Sequence, residues 1–343
     1  MATLFGKQYT RKELLRYSGN LSNFAGVTPM VYDSGKSKGT SALEFRTGSG
    51  LEFVVLPDKC LDIHALRYKG VTLSQQSKNG LTNQLYGQPV PGQFSRTVSG
   101  GMLFTAGLLN AGPESVEDDG TFHQCHGNIG VTPAENLCAQ AYWDGDEYRM
   151  EAKGTMRESA LFQHNLILNR TISTSLGENS VTIVDELENI GFAAEEFCML
   201  YHMNFGFPFL CEDLKLTFPE NECIPRTEEA KAGLSEASTI IHPEDDFFEH
   251  VFFRKLKADE NGWCTVRAEN ANLGIGAAIS FEQKNLPNLC EWKSMRSGDY
   301  ALGIEPANMY IMGRQTERVN GTLPRIAPFE KLTFRLKLSF YDL

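Results

Sequence analysis

Short segments in which apolar residues recur at every second position, each ended by glycine, asparagine, aspartate or proline, run along most of the chain. They include ALEFRTG (42–48), LEFVVLP (51–57), VTIVDELEN (181–189), CMLYHMNF (198–205), GIGAAISFE (274–282), YALGIEP (300–306) and KLTFRLKLSFY (331–341). A period of two is the strand period, and the turn residues of GENS (177–180), NIG (189–191), ADENG (258–262) and RSGD (296–299) join such runs as hairpins. Helical patterning is confined to TRKELLRY (10–17), where Thr10 can cap and Glu13 stands in the capping-box position. The expectation is a mainly β chain of large antiparallel sheets, a sandwich or barrel, with one short N-terminal helix.

A length of 343 residues suits two average domains or one large all-β domain. The polar, irregular stretch PENECIPRTEEAKAGLSEASTIIHP (219–243) reads either as a linker or as an excursion over a sheet edge. Strand-like segments of one character flank it, which favours a single domain over 1–343, with 1–44 supplying the N-terminal helix and leading strands. A net charge of −11 opposes nucleic-acid binding, which wants a basic face. No apolar run approaches the ~20 residues of a membrane span, and no secretory leader opens the chain, so the expected location is the cytoplasm. The eight cysteines include no C-x-x-C pair and are expected as reduced thiols. G-x-S-x-G, P-loop and H-E-x-x-H motifs are absent, which removes the usual support for serine hydrolase, NTPase and zinc protease readings.

Six places could carry chemistry. In LYHMNFGFPF (200–209) alternation puts Tyr201, Met203 and Phe205 on one face of a strand and His202, Asn204 and Gly206 on the other. Those polar groups are either satisfied in the interior or form the floor of a pocket. In YALGIEP, Glu305 shares a face with Ala301 and Gly303, and Pro306 is expected to end the strand. That glutamate is a surface residue or a pocket carboxylate with cleared space above it. The cluster His123-Gln-Cys125-His126 invites a metal, but no third and fourth ligand stands nearby, and the glycines that follow allow His126 to be displayed towards a pocket instead. Arg96 is a hydroxyl- or carboxylate-binding fork or a surface arginine, and Trp292 beside Glu291 and Lys293 suits a sugar face or an amphipathic edge strand. Asp58 and Asp62 form a carboxylate pair or cap turns.

Taken in order, LPDKCLDI (56–63), SGGMLFTAGLLNAGP (99–113), CHGNIGVTPAEN (125–136), VDELENIG (184–191), LYHMNFGFPFL (200–210) and EWKSMRSGDYALGIEPANMYIMGR (291–314) resemble the aldose 1-epimerase-like proteins, and more narrowly the branch called DUF4432. The resemblance runs from about residue 45 to the C-terminus. It implies a galactose mutarotase-like β-supersandwich whose cleft binds a small-molecule sugar, with acid/base catalysis of aldose 1-epimerase type and no metal or organic cofactor. It also implies Glu305 as base, His202 as acid and His126 as a hydrogen-bond partner near the ring oxygen, with Arg96, Asn204, Trp292, Lys293 and Asp62 binding substrate. Two positions depart from the branch: Lys59 and Asn128 stand where arginine is frequent. A non-catalytic sugar-binding or sensor protein, and another sugar isomerase or lyase on the same scaffold, are the alternatives. Homo-oligomerisation is left open.

Overall fold

The hairpin signals become antiparallel ladders. A computed structural model describes all 343 residues, Met1–Leu343. Strands hold 48% of them and helices 11%, so the chain is mainly β. The expected helix is present as α1 (Arg11–Tyr17), closed by the reciprocal Thr10–Glu13 capping box.

Three sheets make the body. The eight-stranded sheet meanders through Glu135–Asp144, Glu147–Ser159, Asn165–Ser175 and Ser180–Asn189, then continues in space with Lys331–Asp342, Ile275–Glu282, Trp263–Asn270 and Leu214–Thr217. Ser180–Asn189 alternates half-buried and buried residues without a break, turning Val181, Ile183, Asp185 and Leu187 inward. That is the signature of a sheet with one face on the core. A five-stranded sheet is built from residues 26–72. One continuous core of 53 buried residues draws on all three sheets, Phe53 and Leu66 from the five-stranded one, Leu168 and Phe281 from the eight-stranded one. All eight cysteines are unpaired.

The third sheet carries the chemistry. In chain order its strands are β1 (Phe104–Leu108), β2 (Cys198–Phe205), β3 (Asn221–Pro225), β4 (His250–Leu256), β5 (Asn288–Arg296) and β6 (Asp299–Ala307), and in space they run β3-β4-β5-β6-β2-β1. The polar stretch 219–243 is therefore no linker: it supplies the edge strand β3 and the short helix α2 (Glu228–Ala232), capped by Thr227. β2 is buried on both faces, with Tyr201, Met203 and Phe205 in the large core and His202 and Asn204 opposite.

Pro306 does not end β6, which pairs Pro306 with Leu289 and Ala307 with Asn288. The interruption falls on the other side. β2 and β6 are paired at Phe205↔Leu302, Asn204↔Gly303 and Met203↔Ile304, and again at Leu200↔Ala307, but not between, at the level of His202, Glu305 and Pro306. A proline has no N–H to give the ladder, and the gap opens where the two ionisable side chains sit.

Candidate active site

Glu305 is fully buried, with 0% of its surface exposed. His202 Nε2 approaches its Oε1 to 3.0 Å. The approach lacks the alignment of a hydrogen bond, and both Glu305 oxygens and His202 Nδ1 are buried without any hydrogen-bond partner. A buried carboxylate left in this state costs several kcal/mol in order-of-magnitude terms, so the arrangement persists because the rest of the fold holds it. The space cleared at Gly303 is used by the pair itself: a Cβ there would stand 2.2 Å from Glu305 Oε1 and 3.1 Å from His202 Cε1. The carboxylate thus lies back along β6, over Gly303 and beside Asn204.

His126 comes from the turn between β1 and the eight-stranded sheet and adopts a left-handed backbone with φ of 62°. The following Gly127 also has positive φ, and any side chain there would meet the Gly107 carbonyl oxygen at 2.1 Å. The backbone ties on both sides: His126 N–H donates to Gly112 O (2.9 Å) and Gly107 N–H donates to His126 O (3.0 Å). Gly112 N–H also donates to His126 Nδ1 at 3.4 Å. Burial, aided by His202 and Arg226 nearby, pushes the imidazole pKa down to about 3. The ring is therefore neutral, and with Nδ1 accepting, its proton sits on Nε2. Its centroid lies 5.6 Å from that of His202 and 5.1 Å from that of Phe94.

These groups line a cavity of about 660 Å³. Asn204 donates from Nδ2 to Gly101 O and His202 O, both at 3.1 Å, which leaves its Oδ1 without a partner in the protein. Trp292 stands 5.5 Å from the His202 ring, centroid to centroid. Its indole N–H donates to Glu249 Oε2 (2.7 Å), and Arg226 donates to Glu249 Oε1 (3.0 Å), so a three-residue chain fixes the indole plane. Cys125 also lines the cavity, but burial, with Glu114 and Glu249 nearby, pushes its thiol up to about 12, which removes it as a nucleophile.

Five of the eight residues singled out in the sequence, His126, His202, Asn204, Trp292 and Glu305, meet at this cavity. Three do not, and the expectation for each is corrected. Asp62 is consumed in the interior: Oδ1 accepts from Thr105 Oγ1 (2.6 Å) and Arg170 Nη1 (2.8 Å), and Oδ2 from Thr105 N–H (2.9 Å). Arg170 also forks onto Asp185, which makes the cluster an internal girder. Lys293 alternates with Trp292 and so faces the other side of β5, where Nζ donates to Glu236 O and Thr239 O. Arg96 lies on a single helical turn, Phe94–Thr97, that offers Phe94 to the cavity and Arg96 to solvent.

The remaining marked residues also lie outside. His123 faces Glu117 at 3.3 Å, Lys59 Nζ is tied to Thr82 O and Ser99 Oγ, and Asn128 Oδ1 accepts from Gln124. Sequence reasoning missed Arg226 and Glu249, because Arg226 falls in the polar stretch taken for a linker or excursion. Pro225 just before it was the available signal, since proline in a sheet marks an edge strand.

The family model described as a domain of unknown function (DUF4432) matches residues 37–340. No curated protein matches at a significant level. Among solved structures, a candidate aldose 1-epimerase from Klebsiella pneumoniae superposes with a TM-score of 0.87 at 25% identity, over 92% of this chain and 83% of that one. A galactose mutarotase-like protein from Clostridium acetobutylicum follows with 0.63 at 16% identity, over 94% and 100%. A galactose 1-epimerase from Lactobacillus acidophilus gives 0.59 at 13% identity, over 93% and 99%.

Proposed function

Because the chain belongs to the DUF4432 family and has the galactose mutarotase-like fold, we propose that it interconverts the anomers of a free aldose by acid/base catalysis at Glu305 and His202. One observation carries this reading above the others: a fully buried carboxylate with two unpartnered oxygens, 3.0 Å from an imidazole nitrogen, facing a cavity. A binding protein has no need of an unsatisfied carboxylate beside an imidazole, whereas proton transfer requires both.

Ring opening moves one proton from the anomeric hydroxyl to the ring oxygen. These two oxygens share a single carbon, so a base and an acid that serve them must stand close together, as Glu305 and His202 do. Glu305 takes the hydroxyl proton, the C1–O5 bond breaks, and His202 Nε2 gives its proton to O5. The anomeric carbon becomes an aldehyde, rotation about C1–C2 turns its other face to the 5-hydroxyl, and the same two transfers in reverse close the ring. The neutral Nε2–H of His126 donates to the ring oxygen region and lowers the energy of the charge that builds there. Trp292 and Phe94 cover apolar ring faces, and Asn204 Oδ1 accepts a hydroxyl.

The test is two-dimensional exchange NMR between α and β anomers for a panel of aldoses, with wild type and Glu305→Gln side by side. Acceleration that falls by a factor of about 10² or more in the variant agrees with the proposal. Equal acceleration by both proteins removes Glu305 as the base.

A further inference from the structure

The cavity continues well past the catalytic pair. Because the Glu305 carboxylate lies over Gly303, the reacting end of the sugar is held at the level of Gly303 and its ladder partners Asn204 and Trp292. From there β6 runs four residues back to Asp299, which lines the same cavity. At about 3.3 Å per residue this is about 13 Å of strand. A single pyranose ring seated on His202 and Glu305 does not span it, and a volume of 660 Å³ falls within the range of about 300–1,000 Å³ that takes ligands larger than a monosaccharide.

The far stretch is furnished for hydroxyl groups. Ser294 is buried and lines the cavity on the face of Trp292, and neither its hydroxyl nor the Gln75 amide makes a side-chain hydrogen bond within the protein. The Gln75 amide is held over Gly100, where a Cβ would stand 2.1 Å from Oε1. Asp299 takes Lys78 Nζ on Oδ2 at 2.6 Å and keeps Oδ1 open. An amide and a hydroxyl that both give and accept, beside a carboxylate that accepts, form the donor and acceptor set that reads adjacent sugar hydroxyls. Polar groups set into a cavity wall without partners cost free energy until a ligand or water supplies them.

Resting on the reading of the site as an aldose epimerase, we infer that the cavity contains a second subsite, formed by Gln75, Ser294 and Asp299, and that the substrate class is a neutral reducing disaccharide or longer glycosylated aldose. The free anomeric carbon sits at His202 and Glu305, and the second ring reaches Asp299. The glycosidic bond takes no part in the chemistry.

The experiment measures kcat/KM for anomer exchange on glucose and galactose and on maltose, cellobiose, lactose and melibiose. The expected result is a preference of tenfold or more for at least one disaccharide over its own reducing-end monosaccharide. Asp299→Ala, and independently Gln75→Ala, abolish that preference while the monosaccharide rate stays at the wild-type value. Equal rates on monosaccharides and disaccharides, or variants that slow both alike, overturn the subsite and leave the epimerase reading intact. A protein that accelerates none of the six sugars overturns the epimerase reading and the subsite with it.

Discussion

The Glu305 carboxylate occupies the place where a side chain at position 303 would be, with a Cβ on Gly303 falling 2.2 Å from Oε1. Gly303 is thus a requirement of the proton-transfer pair rather than of the backbone, since no positive φ is involved at that position. Gly303→Ala is expected to push the carboxylate away from His202 and to lower anomer exchange by about 10², with an overpacking cost of about 1–3 kcal/mol. Exchange rates and urea midpoints measured on the variant decide the matter. A folded Gly303→Ala protein with wild-type turnover would mean that the observed placement of Glu305 is not the active one.

A carboxylate buried without hydrogen-bond partners opposes folding, whereas an amide of the same shape is less costly to desolvate. Glu305→Gln is therefore expected to raise stability by about 1 kcal/mol while activity falls, the trade-off of a site held in place by its surroundings. Chemical denaturation of both proteins at pH 7 measures it. A variant less stable than wild type would show that Glu305 serves the fold.

Much of this was legible in the sequence because alternation is a local rule. The period of two in LYHMNFGFPF separates His202 and Asn204 from Tyr201 and Met203, and both faces are as expected. The same rule, carried through to EWKS, puts Trp292 and Lys293 on opposite faces, with Trp292 at the cavity and Lys293 on the carbonyls behind the sheet. Asp62 is different. Its partner Arg170 lies 108 residues away, and nothing local announces that an aspartate at a strand start is captured by a buried arginine. Arg226 and Gln75 reach the cavity from an edge strand and a loop, whose positions follow from tertiary packing alone.

Asp62 with Arg170 and Asp185 forms a fully desolvated ion cluster. Replacing Asp62 by asparagine leaves Arg170 paired with Asp185, but puts an amide where a carboxylate accepted from Thr105 and Arg170, and buried donors left short of a partner cost about 1–3 kcal/mol. Asp62→Asn is expected to lose stability on that scale yet to keep the wild-type KM for sugar at a temperature where it remains folded. A raised KM without loss of stability would return Asp62 to the substrate.

His64 is buried, its Nδ1 has no hydrogen-bond partner, and burial, with Lys59 adding to the effect, pushes its pKa down to about 4. A folded-state value below the ordinary 6.5 means that the unfolded chain binds the proton more tightly. The stability His64 contributes is present above about pH 6.5 and is lost as pH falls through the window to about 4. The gap corresponds to roughly 3 kcal/mol when fully developed. Urea midpoints from pH 7.5 to 4.5 are expected to fall less steeply in His64→Gln than in wild type. Parallel curves would show that His64 takes up no proton on unfolding. Buried carboxyls such as Glu158, raised to about 7 by burial, tilt the curve the other way but are common to both proteins and cancel in the comparison.

The Arg226–Glu249–Trp292 chain sets both the shape and the charge of the cavity. Glu305, Glu249 and Asp299 face it against Arg226 alone, with Lys78 screening Asp299 from outside, so an anionic sugar meets net repulsion. Galactose is accordingly expected to be a better substrate than galacturonate. Glu249→Ala changes two things at once. It frees the indole, which should raise KM for neutral sugars several-fold with a smaller effect on kcat, the pattern of lost binding rather than lost chemistry. It also uncovers Arg226 beside His126, and a bare guanidinium is a strong carboxylate partner. The ratio of kcat/KM for galacturonate to that for galactose should therefore rise in Glu249→Ala even as the rate on galactose falls. A ratio that stays constant would mean that Arg226 does not reach the bound sugar, and the preference for neutral substrates would then have to come from Glu305 and Asp299.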